Sequence, residues 1–280
     1  MPSGRVHFHP PNALHPEAQG RAAHPGNTCQ NPGAKINCHT RLLPLLAGLV
    51  GIGLVVGAWG RWNRPAGPSN GRVPFAYEAD IWRTRHAEFV AAKRAGDFDV
   101  ICLGDSLTWG WDDHRDLWAA RVTARPTAFF AIGGETTNGL LWRVDHGELD
   151  GPPPKLVTIL IGTNNRWVKD DAEDIAGGIM AVVARVRERV PTAKVLLLGV
   201  LPQDRWPRGS GRRVFAAVNK LLLPLDDGRA VFVRDIGGCL LEPDGELAVE
   251  TSEDGTHLTR AGYERLAAAL GPEVRSLLGE

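Results

Sequence analysis

The sequence has no excess of charge of either sign. Its 280 residues include 32 basic and 32 acidic side chains, so the formal net charge is zero. Proteins that attract nucleic acid or another polyanion through their overall field carry a strong positive balance. The charge balance therefore argues against such an attraction, and we expect no nucleic-acid partner.

Cysteine is scarce and scattered. The four cysteines form no C-x-x-C pair and stand at Cys29, Cys38, Cys102 and Cys239. This argues against a disulfide scaffold and against the common zinc and redox motifs. No G-x-G-x-x-G stretch opens a helix after the first predicted strand, which argues against a dinucleotide site. The sequence predicts no metal and no cofactor.

Charge is also missing from one long run, Leu42 to Trp59, whose length is about the minimum for a bilayer-spanning helix. Basic residues flank the run on both sides, so the flanking charge does not fix an orientation. The run ends in Val56-Gly57-Ala58, which also suits a signal-peptidase site. We expect residues 41–60 to form an N-terminal hydrophobic helix that is a transmembrane anchor or a cleaved signal. A buried or misinterpreted segment is the third alternative.

The rest of the chain divides by composition. Residues 1–40 are rich in Pro, Gly, His and Asn and have few large apolar side chains, which predicts a disordered tail. Residues 61–74 have the Pro, Gly and Asn content of a linker. Residues 75–280 have the size of one ordinary domain. If residues 41–60 are an anchor or a signal, this domain is exported and lies outside the cytoplasm.

Within that domain, short apolar runs alternate with helix-like segments. Each predicted strand is almost continuously apolar, as in a sheet that helices cover on both faces. The predicted strands are Asp99–Leu103, Ala128–Ile132, Leu156–Ile161, Lys194–Gly199 and Ala230–Val233. The predicted helices are Ala79–Arg94, Thr136–Val144, Ala172–Arg189, Arg212–Leu222 and Arg260–Leu278. The alternation predicts a parallel sheet between two layers of helices.

Ligands of such sheets bind at the carboxyl ends of the strands. The first three predicted strands deliver Ser106, Gly134 and Asn164 to that edge. A serine hydroxyl needs a base, and the oxyanion that it forms needs donors. The N–H groups of Ser106 and Gly134 and the Asn164 amide could supply three donors. His257 is the candidate base, and Asp254, three residues earlier, could orient its ring.

Four sequence blocks carry a family resemblance: Gly104-Asp105-Ser106-Leu107, Gly134, Gly162-Thr163-Asn164 and Asp254-x-x-His257. In this order and spacing they resemble the SGNH (GDSL) hydrolases. The stretches "RHAEFV", "IGGETTNGLLWRVDHGEL" and "PKLVTILIGTNN" resemble the platelet-activating-factor acetylhydrolase Ib catalytic-subunit branch. The resemblance covers the region from about Trp82 to Tyr263.

The resemblance implies a three-layer α/β/α sandwich with a flavodoxin-like parallel sheet of about five strands. It implies that Ser106 is the nucleophile, His257 the general base and acid, and Asp254 its orienting carboxylate. Ser106, Gly134 and Asn164 become the oxyanion hole. Glu135 stands where many relatives have Asp, and we expect this difference to have little consequence for the chemistry.

Four tryptophans follow strands on the presumed active edge: Trp109, Trp111, Trp167 and Trp206. Burial in the core is the ordinary role of tryptophan, but the amphipathic ring also suits a substrate wall. We treat all four as candidate substrate-binding residues.

The sequence thus predicts a serine esterase that acts on a small-molecule ester without a cofactor. The resemblance favours a short acyl group such as acetyl, carried by a carbohydrate or a lipid. Two alternatives stay open: lysophospholipase or thioesterase activity on longer acyl chains, and a non-catalytic binding protein that keeps the fold. The sequence leaves the oligomeric state and the natural ester open.

Overall fold

The computed structural model of the chain describes residues 70–280. Five strands form one parallel sheet in the order β2-β1-β3-β4-β5. They are β1 (Val100–Gly104), β2 (Thr127–Ala131), β3 (Leu156–Leu160), β4 (Lys194–Leu198) and β5 (Val231–Arg234). This is the doubly wound order of flavodoxin-like sheets, and the connections change direction between β1 and β3.

Seven α-helices surround the sheet in the described part of the chain. They are α1 (Asp80–Ala95), α2 (Ser106–Trp109), α3 (Arg115–Arg121), α4 (Thr137–Asp145), α5 (Ala172–Arg189), α6 (Ser210–Leu222) and α7 (Arg260–Leu278). Short 3₁₀ turns, among them Gly110–His114 and Thr163–Val168, follow strands on the carboxyl edge. No helix among residues 70–280 is long and apolar enough to cross a bilayer.

Side chains alternate between two hydrophobic cores along each strand. In β1, Ile101 and Leu103 join the core that α1, α4, α5 and α6 cover. Val100 and Cys102 join the core on the other face, which α2, α3 and α7 cover. Because both faces are covered, every residue of β1 is buried, which explains why its sequence is a continuous apolar run. The result is the predicted three-layer arrangement.

The predicted strands agree with the structure to within one residue at each end. The helices α2 and α3 were not predicted. The helix α3 begins within the charged run Asp112-Asp113-His114-Arg115-Asp116, and its residues Leu117 and Trp118 are buried. Seven residues are too few for a helical period to stand out in the sequence.

Residues 70–74, the end of the predicted linker, are mostly exposed but form hydrogen bonds with the start of α4. The Gly71 carbonyl accepts a hydrogen bond from Thr137 Oγ1 (2.9 Å), and the Asn138 amide donates to the carbonyls of Asn70 and Val73 (2.8 Å each). The predicted tail, the 41–60 segment with its hydrophobic helix, and the start of the linker lie outside the described residues.

Candidate active site

The turn after β1 places a serine at the start of a helix. Gly104 ends the strand, and a Cβ at this position would lie 2.3 Å from the Leu160 carbonyl oxygen, so only glycine fits. Asp105 caps α2 because its Oδ1 accepts a hydrogen bond from the Leu107 N–H (3.0 Å). Ser106 is the first residue of α2, where backbone N–H groups have no partner within the helix.

A line of hydrogen bonds joins three residues that the sequence singled out. Ser106 Oγ lies 3.0 Å from His257 Nε2, and His257 Nδ1 lies 2.7 Å from Asp254 Oδ2. The residues come from two distant parts of the chain, the turn after β1 and the loop before α7. The Asp254 and His257 side chains are about half exposed, so substrate and water can reach them.

The loop before α7 fixes this carboxylate. Asp254 Oδ1 accepts hydrogen bonds from the backbone N–H groups of Thr256 (2.9 Å) and His257 (2.7 Å). Burial would raise the pKa of Asp254, but the bonds from His257 outweigh it and lower the pKa to about 2. The hydrogen bond to Asp254 in turn raises the pKa of His257 above its ordinary value, against the opposing effect of burial. An ionised Asp254 therefore stabilises the imidazolium form of His257.

Two backbone N–H groups, in the turns after β1 and β2, have no hydrogen-bond partner among the described residues. The N–H groups of Ser106 and Gly134 have no protein acceptor among residues 70–280. Gly134 has a φ of +77°, a left-handed conformation that strains any residue with a Cβ. Unpaired N–H groups near a nucleophile can bind the negative oxygen of a tetrahedral intermediate.

The Asn164 amide lies at the same edge and is held from two sides. Its Nδ2 donates to the Glu135 carbonyl (2.9 Å) and, over a longer distance, to Asp105 Oδ2 (3.3 Å). Asp105 is fully buried, and burial raises its pKa to about 7 despite the bond from the Leu107 N–H. The structure thus brings Ser106, Asn164 and the Gly134-Glu135 turn together around one point.

Below this point lies a buried ion cluster that the sequence analysis missed. Arg143 on α4 pairs with both Glu135 and Glu148, and all three side chains are buried. Glu135 also accepts from Trp82 Nε1 (2.8 Å). We expected the replacement of Asp by Glu at position 135 to have little consequence. Glu135 matters more than that, because its side chain anchors the turn that carries Gly134. The available clue was an arginine within the apolar stretch "LLWRV".

A second unpredicted side chain ties the loops of the site together. Gln203, after β4, is buried; its amide donates to Thr256 Oγ1 (3.0 Å), and its Oε1 accepts from Arg166 Nη1 (2.7 Å). Thr256 neighbours His257, and Arg166 belongs to the turn that carries Asn164. The loops after β3 and β4 thus support the loop that positions His257.

The structure separates the four candidate tryptophans. Trp167 and Trp206 are 54% and 63% exposed. Trp109 is half-buried, with the Arg85 guanidinium 4.1 Å from its ring centroid. The prediction that Trp111 binds substrate is wrong. Its side chain is 3% exposed and packs on Trp118 and Tyr263, so it belongs to the hydrophobic core. Trp111 lies in the 3₁₀ turn Gly110–His114, which follows α2, and its burial could not be predicted from its place after a strand.

A doubly wound sheet with a serine, an imidazole and a carboxylate in line at its carboxyl edge has the architecture of a serine hydrolase. Comparison with known proteins agrees with this class. The model of the GDSL-like lipase/acylhydrolase family matches residues 102–265. The platelet-activating factor acetylhydrolase IB subunit alpha2 of Rattus norvegicus is 34% identical over 202 residues, which are 72% of this chain and 86% of that protein. The chain belongs to the GDSL-like lipase/acylhydrolase family.

Solved structures share the fold. A protein of Bacteroides fragilis assigned as an acylhydrolase matches with a TM-score of 0.57 and 22% identity, covering 72% of this chain and all of that one (100%). Est24, a carbohydrate acetylesterase from Sinorhizobium meliloti, matches with a TM-score of 0.53 and 23% identity over 65% of this chain and 100% of its own. At these identities the likeness concerns the fold alone.

Proposed function

We propose that this hydrolase is a serine esterase in which Ser106 attacks the ester carbonyl, with His257 as base and Asp254 as its partner. The observation that carries the proposal is the hydrogen-bonded line from Ser106 Oγ through both ring nitrogens of His257 to Asp254, 3.0 Å and 2.7 Å. A serine hydroxyl becomes a useful nucleophile when an adjacent base removes its proton during attack.

The first half of the reaction forms an acyl-enzyme. Ser106 Oγ bonds to the carbonyl carbon while its proton passes to His257 Nε2, and the carbonyl oxygen becomes an oxyanion. The N–H groups of Ser106 and Gly134 donate to this oxyanion. When the intermediate collapses, the ester C–O bond breaks and the leaving alcohol takes the proton from His257. Asp254 stabilises the imidazolium throughout and stays ionised.

Asn164 is the third donor in this proposal. Its two amide hydrogens already have acceptors, of which the Asp105 contact is the longer at 3.3 Å. The oxyanion replaces or shares that contact, while the bond to the Glu135 carbonyl keeps the amide oriented. Removal of one oxyanion donor typically lowers kcat by about 10²–10³-fold.

The second half of the reaction releases the acid. A water molecule gives a proton to His257 Nε2 and attacks the acyl carbon, and the same three donors hold the new oxyanion. The bond between the acyl carbon and Ser106 Oγ then breaks, and Ser106 recovers its proton from His257. No metal or cofactor enters these steps.

For the substrate, we favour a short acyl group such as acetyl on a carbohydrate or a lipid. A shared fold does not determine a substrate. The support for an acetyl group is therefore the names of two similar proteins, the acetylhydrolase subunit of Rattus norvegicus and the acetylesterase Est24. Trp167 and Trp206, exposed beside the site, suit contact with a sugar ring or a lipid headgroup.

The apolar run at residues 42–59 supports an anchored or exported enzyme whose catalytic domain lies outside the cytoplasm.

Hydrolysis of p-nitrophenyl acetate by the purified protein tests the reaction, with Ser106→Ala as the matched control. The proposal expects wild type to turn over the ester and the variant to lose at least about 10³-fold in kcat/KM. Equal rates in both proteins would refute Ser106 as nucleophile. Absence of turnover with every acyl ester tried would favour the non-catalytic binding alternative.

A panel of p-nitrophenyl esters with two to twelve acyl carbons separates the remaining alternatives. The acetyl ester should have the highest kcat/KM. A maximum at eight or more carbons would favour a lysophospholipase or thioesterase instead.

A reporter fused after Glu280 tests the location, and a reporter that works only in the cytoplasm should be silent.

A further inference from the structure

Exposed apolar side chains are distributed unevenly over the described domain. Seven large hydrophobic residues are exposed there. Five lie at the carboxyl edge of the sheet, namely Val73, Ile81, Trp167, Trp206 and Val249. The other two, Leu221 and Leu223, lie at the opposite edge, where α6 ends. Clustered exposed apolar surface marks contact with a membrane or a protein.

Two of these residues, Trp167 and Trp206, form what we term the tryptophan rim. They stand on neighbouring loops, after β3 and β4, and Arg166 joins the loops through Gln203 (2.7 Å) and Ser210 (2.5 Å). Because Gln203 also holds Thr256, the rim adjoins the loop that carries His257. Tryptophan has an apolar body and one polar N–H, which is why it is enriched where a bilayer meets water.

The charges beside the rim are mixed. Lys169 and Arg208 are exposed, and Asp171 is exposed nearby. Because both basic and acidic side chains stand beside the tryptophan rim, this surface does not require an anionic partner. The occupant that fits this surface best is therefore the headgroup region of a phospholipid bilayer, including a zwitterionic one.

The chain enters the described domain at this same edge. Gly71 and Asn138 join the entering segment to the start of α4, next to the turn that carries Gly134. The apolar run of the sequence ends at Trp59, and residues 60–69 can extend at most about 35 Å. If the run lies in a bilayer, the connection keeps the carboxyl edge within reach of the same surface.

We infer that the tryptophan rim docks the catalytic edge onto a phospholipid bilayer, so that Ser106 faces lipid headgroups. The exposed rim, its position beside the site and the point of chain entry support this orientation. Docking is a binding event and does not depend on the chemistry proposed for Ser106.

Tryptophan quenching by brominated phosphatidylcholine tests the inference in the full chain reconstituted into vesicles. The variant Trp167→Phe/Trp206→Phe keeps the apolar bulk and removes both fluorophores. We expect it to lose a larger share of the lipid-dependent quenching than of the total fluorescence. The matched control Leu223→Trp adds a tryptophan at the opposite edge, and its added fluorescence should not be quenched.

Three results would overturn the inference. The first is quenching that falls only in proportion to the lost fluorescence in the double variant. The second is quenching of the added Leu223→Trp fluorescence to the same extent as the rim. The third is a dimer in detergent that Trp206→Ser dissociates while the wild type shows no lipid quenching of the rim, which would assign the surface to a second copy. Ser106→Ala should show the wild-type quenching even if the esterase proposal fails.

Discussion

Replacing Arg143 by methionine should destabilise the fold more than any exposed charge change. The variant leaves Glu135 and Glu148 buried without their shared cation. Loss of one partner of a buried ion pair costs about 3–5 kcal/mol, because the other charge stays desolvated. For a domain of this size, 1 kcal/mol shifts the midpoint of thermal unfolding by about 2–4 °C. We therefore expect the midpoint of Arg143→Met to fall by roughly 6–20 °C at neutral pH.

The same cluster supplies the control. In a Glu135→Gln/Glu148→Gln background the methionine leaves no buried carboxylate unpaired, so adding Arg143→Met should cost much less than it does in the wild type. The single variant should also lose less stability at acid pH, since burial already raises the pKa of Glu135 and protonation removes the unpaired charge. Thermal unfolding followed by near-UV circular dichroism measures all four proteins. A fall below about 2 °C, or equal falls in both backgrounds, would refute the reasoning.

Two further changes test the site. Asp254→Asn should lower kcat/KM by about 10³–10⁴-fold and move its acid limb to lower pH, because the carboxylate raises the pKa of His257; an unmoved limb in a pH–rate profile would contradict this. Asn165→Ala should destabilise by about 1–3 kcal/mol, because the buried amide accepts from the Thr137 N–H (3.0 Å) and donates to Thr137 Oγ1 and Asp170; a midpoint within about 1 °C of wild type would contradict this.

The sequence predicts the sheet well because buried parallel strands consist of continuous runs of apolar residues. The strands Leu156–Leu160 and Lys194–Leu198 can each be predicted from their own residues alone. Both are covered by helices on two faces, so nearly every side chain in them is buried. Ser106 was found because it follows a strand of the parallel sheet, and His257 and Asp254 were found from their spacing of three residues just before the last helix. The structure brings these residues within hydrogen-bond distance.

Contacts between individual side chains could not be predicted from the sequence. Glu135, Arg143 and Glu148 have no spacing that distinguishes a buried cluster from a solvated one, and their burial is seen only in the folded structure. Gln203 is likewise an ordinary loop residue until the fold sets Arg166 on one side of it and Thr256 on the other. Trp111 could not be told from an exposed loop residue without the contact to Tyr263.

The most direct test of the account is covalent labelling by a fluorophosphonate, followed by intact mass and peptide mapping. The probe reacts with a serine only where a neighbouring base and oxyanion donors activate it. We predict a single adduct on Ser106 in the wild type, and a labelling rate that falls sharply in His257→Ala. An adduct on another serine, or equal labelling rates in the two proteins, would contradict the claim that Ser106 and His257 act as one unit.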